Sequence, residues 1–218
     1  MRIAAYGIDV VLKYCFIGGI FIFLAFFFLD AGLVQTAVLV LIVLSVALIL
    51  NFFRDPERET PEGKDLIISP ADGRVFLITE IFESEYLNQN AVQISIFMSP
   101  LNVHVNRFPI TGKIGYFRHI EGRYTPAFKE KSSELNERTL IGIEDNGYKV
   151  LFRQIAGTVA RRIVADLKVG DPAVRGKRFG MIKFGSRVDV LIPGRFVIKV
   201  KLNDKVLAGE TVLGSYSQ

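Results

Sequence analysis

Two stretches without a charged residue, 14–29 and 31–53, constrain this chain before any motif does. A helix needs about 20 apolar residues to cross a hydrocarbon core, with a range of roughly 17 to 25. Residues 33–50 reach that length, while the first stretch, with Gly18 and Gly19 inside, is marginal. Full spanning and a hairpin that enters and returns are therefore both open. A single charge, Asp30, interrupts the two, in the turn-like string Leu29-Asp-Ala-Gly32. No small-residue cleavage pattern separates them, which argues against a removed leader. Arg2 and Lys13 precede the pair, and Arg54, Arg58 and Lys64 follow it. The positive-inside rule puts both outer flanks in the cytoplasm. The expected organisation is a helical hairpin over 1–53 at the cell membrane, a linker over 54–64, and a domain over 65–218 on the cytoplasmic side.

The formal net charge is +5. Arg2 and Lys13 cancel Asp9 and Asp30, so the basic excess belongs entirely to residues 51–218. A basic domain tethered to a membrane suits work beside anionic lipid headgroups. Nucleic acid is excluded as partner, because no zinc-finger spacing, RNA-binding aromatic motif or recognition-helix pattern occurs. The lone Cys15 lies in the first apolar stretch, which leaves no disulfide and argues against thiol catalysis.

After Pro56 and Pro61, β-type signals dominate. Runs at 66–68, 75–78, 91–98, 188–192, 195–202 and 210–213 are β-branched or aromatic and bounded by Gly, Pro, Asn or Ser. Asp145-Asn-Gly147 between 139–143 and 148–152 reads as a hairpin turn, since Asn and Gly tolerate positive φ. Helices are expected at 126–135 and 157–167. The fold class is mainly β (α+β), with barrel- or sandwich-like sheets behind the helical hairpin.

Two histidines and one cysteine leave few chemistries. His104 and His119 stand in different strand-like runs without an HxH or HExxH pattern, so no metal site is expected. No Gly-rich loop joins a strand to a helix to hold a nucleotide. Asp72, in Ser69-Pro-Ala-Asp-Gly73, is either a turn aspartate or an acidic site residue. Alternation puts Asn102, His104 and Asn106 on one strand face, either solvated or lining a polar site. His119 reads as a surface or substrate-side residue. Gly185-Ser186 lies inside a strand-like apolar run, where glycine ordinarily marks a bulge or close packing. A glycine there also lets a serine hydroxyl approach the preceding carbonyl. Gly214-Ser215 shows that the dipeptide alone is weak, for too few residues follow it to build a site.

Context separates the two pairs. Phe53-Arg-Asp-Pro56, Ile68-Ser-Pro-Ala-Asp-Gly-Arg-Val75, Phe97-Met-Ser-Pro100 with Asn102-Val-His104, Asn136-Glu-Arg138 and Phe184-Gly-Ser-Arg-Val188 occur in that order. Together they resemble the proenzymes of the short-type phosphatidylserine decarboxylase family, from about residue 51 to the C-terminus. The resemblance implies self-cleavage at Gly185-Ser186 into a β chain of 1–185 and an α chain of 186–218. Ser186 would become a pyruvoyl group, the Schiff-base-forming cofactor, and phosphatidylserine in a lipid membrane would be decarboxylated to phosphatidylethanolamine. Asp72 matches the family's acidic member of a serine-histidine-aspartate arrangement, and His104 is the candidate proton donor. Relatives carry two histidines three positions apart, and Arg107 stands where the second would be. Arginine stays protonated and cannot be the base. Either His104 serves both steps, or Asp72 acts more directly, or another group assists. Arg187, Lys183 and Arg107 are candidates for the lipid phosphate, and a homo-oligomer is left open. The competing reading is a membrane-tethered lipoyl-like β module, or an inactive homologue with a non-enzymatic role.

Overall fold

The computed structural model describes residues 2–63, 65–123, 125, 135–145, 147–157, 162–183, 186–194 and 196–216, with Ser186 described in its backbone only. The chain divides into two compact units, Met1–Pro56 and Glu57–Gln218. In the first, β1 (Arg2–Ile3) pairs antiparallel with β2 (Arg54–Asp55), and between them run α1 (Ile8–Phe28) and α2 (Leu33–Phe52). A 3-10 turn leads directly into α1, so Ala5–Phe28 forms one rod of 24 residues with a mean hydropathy of 2.3, against 2.9 for α2. Both helices are long and apolar enough to cross a membrane. Gly18 lets the two pack closely, since a Cβ there would lie 3.3 Å from Val46 Cγ2. Gln35 Nε2 donates to the carbonyls of Ala25 (3.3 Å) and Leu29 (3.0 Å), satisfying acceptors that the end of α1 leaves open. Phe16, Phe27, Phe28, Leu33 and Val34 are exposed, a surface that fits membrane association.

The second unit is built of strands: β3 (Leu66–Ile68), β4 (Gly73–Glu83), β5 (Gln89–Met98), β6 (Val105–Arg107), β7 (Gly112–Ile120), β8 (Arg138–Asp145), β9 (Tyr148–Ala156), β10 (Arg162–Ala165), β11 (Pro172–Ala173), β12 (Arg178–Lys183), β13 (Ser186–Pro193), β14 (Phe196–Ile198), β15 (Lys205–Val206) and β16 (Val212–Tyr216). One antiparallel sheet, in the order β11-β7-β8-β9-β13-β5-β4-β15, curls into a half-barrel. Two three-stranded sheets, β10-β12-β6 and β14-β16-β3, complete the unit. Bulges at Val75/Leu77 and Ile114/Tyr116 add the local twist that curvature requires.

The main core holds Ile94, Ile96, Phe152, Val188, Val190 and Ile192 on one face of the large sheet. The other face of its centre is covered by Leu87, Ala91, Leu140, Leu151 and Leu191. Strand β13 is therefore buried on both sides, which is why its residues from Val190 to Ile192 read as an apolar run. The β8–β9 turn forms where expected, with Asp145 opposite Tyr148 and Gly147 at φ +89°. Glu83 closes the β4–β5 connection by accepting from the N–H groups of Glu85, Tyr86 and Leu87. Burial pushes its carboxyl up, but those three bonds and Arg153 outweigh burial and hold it below the usual carboxylate range.

The helix expected at 157–167 does not form. Residues Arg162–Ala165 are strand β10, paired with Gly180–Lys183 of β12. The edge of β12 pairs with the backbone of these residues, and β-branched Ile163 and Val164 suit a strand. The expected strand over 195–202 is shorter, Phe196–Ile198. Residues 126–134 of the other expected helix lie outside the described residues.

Gly73, the last residue of the Ser69-Pro-Ala-Asp-Gly73 string, sits against β5, and a Cβ there would lie 2.2 Å from the Phe97 carbonyl oxygen. Gly73→Ala should therefore destabilise the domain by about 1–3 kcal/mol, because backbone must move to admit a methyl. A thermal unfolding midpoint several degrees lower checks this, and an unchanged midpoint would contradict it.

Candidate active site

Strand β12, which ends at Lys183, belongs to one sheet, and β13, which opens at Ser186, belongs to another. Gly185 itself lies outside the described residues. Ser186 opens β13, opposite Met98 on β5 and Ala156 on β9, two fully buried positions of the main core. Ser186 thus opens a central strand paired on both sides with strands that precede it in the chain.

His104 and Asn106 come from the segment that enters and forms β6, the neighbour of β12. Both are fully buried, so of the polar face read from alternation His104 and Asn106 are enclosed in the domain, while Asn102 stays partly exposed. The His104 carbonyl accepts from Ile182 N at 3.3 Å, tying the histidine to the strand that runs into the cleavage site. Its Nδ1 lies 2.9 Å from the Asn102 carbonyl oxygen. A carbonyl only accepts, so Nδ1 donates and Nε2 is the exchangeable nitrogen of the neutral ring. Asn106 is fixed through both ends of its amide. Nδ2 donates to the Pro70 carbonyl at 3.3 Å, and Oδ1 accepts from Gln154 Nε2 at 2.8 Å. Gln154 Oε1 in turn accepts from Thr139 Oγ1 at 2.8 Å. Asn136 Nδ2 donates to the Ala156 carbonyl at 2.7 Å, at the residue that pairs with Ser186.

Asp72 sits in the loop before β4, with its carboxylate held at both oxygens. Oδ2 is 2.9 Å from Arg58 Nη2, and Oδ1 accepts from Ala208 N at 2.8 Å. Arg58 Nη1 also reaches Glu210 Oε2 at 3.2 Å. The same loop is tied to β6, since the Pro70 carbonyl accepts from Arg107 N at 3.0 Å. Asp72 and His104 are thereby carried on two segments packed together beside β12. The Asn102 carbonyl occupies the Nδ1 position that an orienting carboxylate takes in a serine-histidine-aspartate arrangement.

The residue at the position of the relatives' second histidine, Arg107, is buried and donates from Nη1 to the Gly176 carbonyl at 2.9 Å. Arg187 is 1% exposed and paired with Asp189, so it is not available to a lipid phosphate. A charge in a strand reads as solvated until both sheet faces are known to be covered. His119, half-exposed on β7, lies 3.3 Å from Glu137 Oε1. Arg58, Gln154 and Thr139 carried no local signal. Arg58 reads as linker charge, and only the folded sheet brings it to Asp72.

Replacing Arg58 by methionine would leave the Asp72 carboxylate buried without that counter-charge. Because Arg58 is slightly exposed, we expect a loss of about 2–3 kcal/mol. Urea unfolding of Arg58→Met in an uncut Ser186→Ala background measures it, and an unchanged midpoint would contradict the role.

Comparison with known proteins gives a consistent result. The family described as phosphatidylserine decarboxylase matches residues 46–214. A protein from Chlorobium phaeovibrioides is 53% identical over 164 residues, covering 75% of this chain and 74% of its own length. One from Chlorobaculum tepidum is 44% identical over 218 residues and covers 98% of each chain. One from Syntrophus aciditrophicus is 43% identical over 215 residues, covering 98% of this chain and 97% of its own. All three bear the name phosphatidylserine decarboxylase proenzyme.

Proposed function

Because this chain belongs to the phosphatidylserine decarboxylase family, a family of carboxy-lyases, we propose that it makes its own prosthetic group by breaking the bond ahead of Ser186. The observation that carries this reading is the position of Ser186, at the entrance of a central strand held between β5 and β9. Ser186 Oγ attacks the Gly185 carbonyl carbon, and its proton passes to a base as the amide becomes an ester. Loss of the Ser186 Cα proton then expels the Gly185 carboxylate and leaves dehydroalanine at 186. Addition of water and release of ammonia complete the pyruvoyl terminus of the α chain, 186–218.

The residues around position 186 fit such a group. Met98 and Ala156 give it apolar walls, while His104 and Asn106 bring buried polar groups from β6. The pyruvoyl carbonyl supplies an electron sink for the bond to carbon dioxide. The chain supplies position and protons. His104, whose Nδ1–H faces the Asn102 carbonyl, uses Nε2 to take a proton from the substrate ammonium and to return it to the substrate Cα. Arg58 and Ala208 N hold the Asp72 carboxylate at its two oxygens, and so pin the chain on both sides of the cut. The product is phosphatidylethanolamine. The cations flanking the hairpin support a catalytic domain at the cytoplasmic face.

The test is turnover of phosphatidylserine in detergent micelles. Release of carbon dioxide with formation of phosphatidylethanolamine, blocked by hydroxylamine that adds to the small fragment alone, is expected. Turnover insensitive to this ketone reagent would overturn the proposal.

A further inference from the structure

On β13 the even-numbered side chains Val188, Val190 and Ile192 face the main core, and the other face carries Arg187 and Asp189, next to the cleavage site, before Leu191. Arg187 is 1% exposed and Asp189 fully buried. They form an ion pair through Arg187 Nε and Asp189 Oδ1. Arg187 Nη2 donates to Ser95 Oγ of β5 at 3.0 Å, and the guanidinium lies 4.9 Å from the ring of Phe76, the bulged residue of β4. Ser95 is further held by Gln93 Nε2 at 3.0 Å. Arg187 Nη1 and Asp189 Oδ2, also buried, have no hydrogen-bond partner among the described residues. The cost of taking both charges from water is thus incompletely recovered, and such a pair is seldom a net source of stability.

Its position supplies another role. A strand apolar on both faces can shift by one residue with little hydrophobic penalty, and that shift exchanges the two faces. In β13 a shift would move Arg187 to the place opposite Met98 and Ala156 in the main core, and Asp189 to the place opposite Ile96 and Gln154, whose amide is already engaged by Asn106 and Thr139. Stranding two charges there costs several kcal/mol by general estimates. The same shift would remove residue 186 from its place opposite Met98 and Ala156.

We propose that the Arg187–Asp189 pair is a register lock that sets residue 186 at the cleavage position. This rests on the reading of Gly185-Ser186 as the scissile bond. Arg187 and Asp189 are positioning residues, and both travel with the α chain. The lock therefore also holds the reactive terminus in place once the covalent link on its N-terminal side is gone.

The experiment times self-cleavage of pulse-labelled full-length protein on denaturing gels, alongside urea unfolding of each variant in a Ser186→Ala background. Arg187→Met with Asp189→Leu should be as stable as the parent or more so, yet cut about tenfold or more slowly, since small misplacements of reacting atoms cost that much. Arg187→Lys, which keeps the charge, should recover part of the rate. A double variant that folds and cuts at the parental rate overturns the lock, as does a rate loss that only tracks lost stability. If the double variant does not fold, the isosteric Asp189→Asn is timed, and the parental rate again overturns it. A parent chain that is never cut would overturn the scissile-bond reading instead.

Discussion

Ser186→Ala is expected to leave a single 24.4 kDa chain with no decarboxylase activity. Alanine has no oxygen to attack the Gly185 carbonyl, so neither the ester nor the keto terminus can form. The fold should survive, because β13 is held by backbone pairing with β5 on one side and β9 on the other. Denaturing gels, circular dichroism and the micelle assay together separate loss of chemistry from loss of structure. A folded Ser186→Ala protein that still yields two fragments would move the cut elsewhere.

The second large effect is expected at His104. In protein that has been cut, His104→Ala should lower kcat for phosphatidylserine by about 10²–10⁴-fold, the usual range for a lost general acid or base. His104 is fully buried, and its Nδ1 is occupied by the Asn102 carbonyl, so Nε2 is the nitrogen assigned to the proton transfer. His104→Gln preserves a hydrogen-bonding side chain but not the proton relay, and should be nearly as impaired. Normal turnover of either variant would remove His104 from the mechanism.

Much of this was readable from the residues. The hairpin follows from two uncharged runs, and the β-rich domain from short β-branched runs separated by Gly, Pro and Asn. The turn at 145–147 follows from residues that accept positive φ. Ordered motifs bring Asp72, His104 and Ser186 to attention, and the fold packs the first two on adjacent segments beside β12. Long-range pairing was not readable. Arg58 looks like linker charge because its partners Asp72 and Glu210 join it only once the sheet closes. Arg187 suggests a phosphate ligand because sequence does not tell that both faces of β13 are covered. Residues 162–165 carry enough apolar spacing for a helix, yet the open edge of β12 captures them as strand. In each case a tertiary neighbour decided what local pattern left undecided.

The most direct measurement is the intact mass of the small fragment from active wild-type protein. The account predicts a fragment spanning 186–218 whose first residue carries a ketone in place of the serine amine, paired with a large fragment ending in the Gly185 carboxylate. Full activity in a single unbroken polypeptide, or a small fragment that begins with an intact serine, would contradict it.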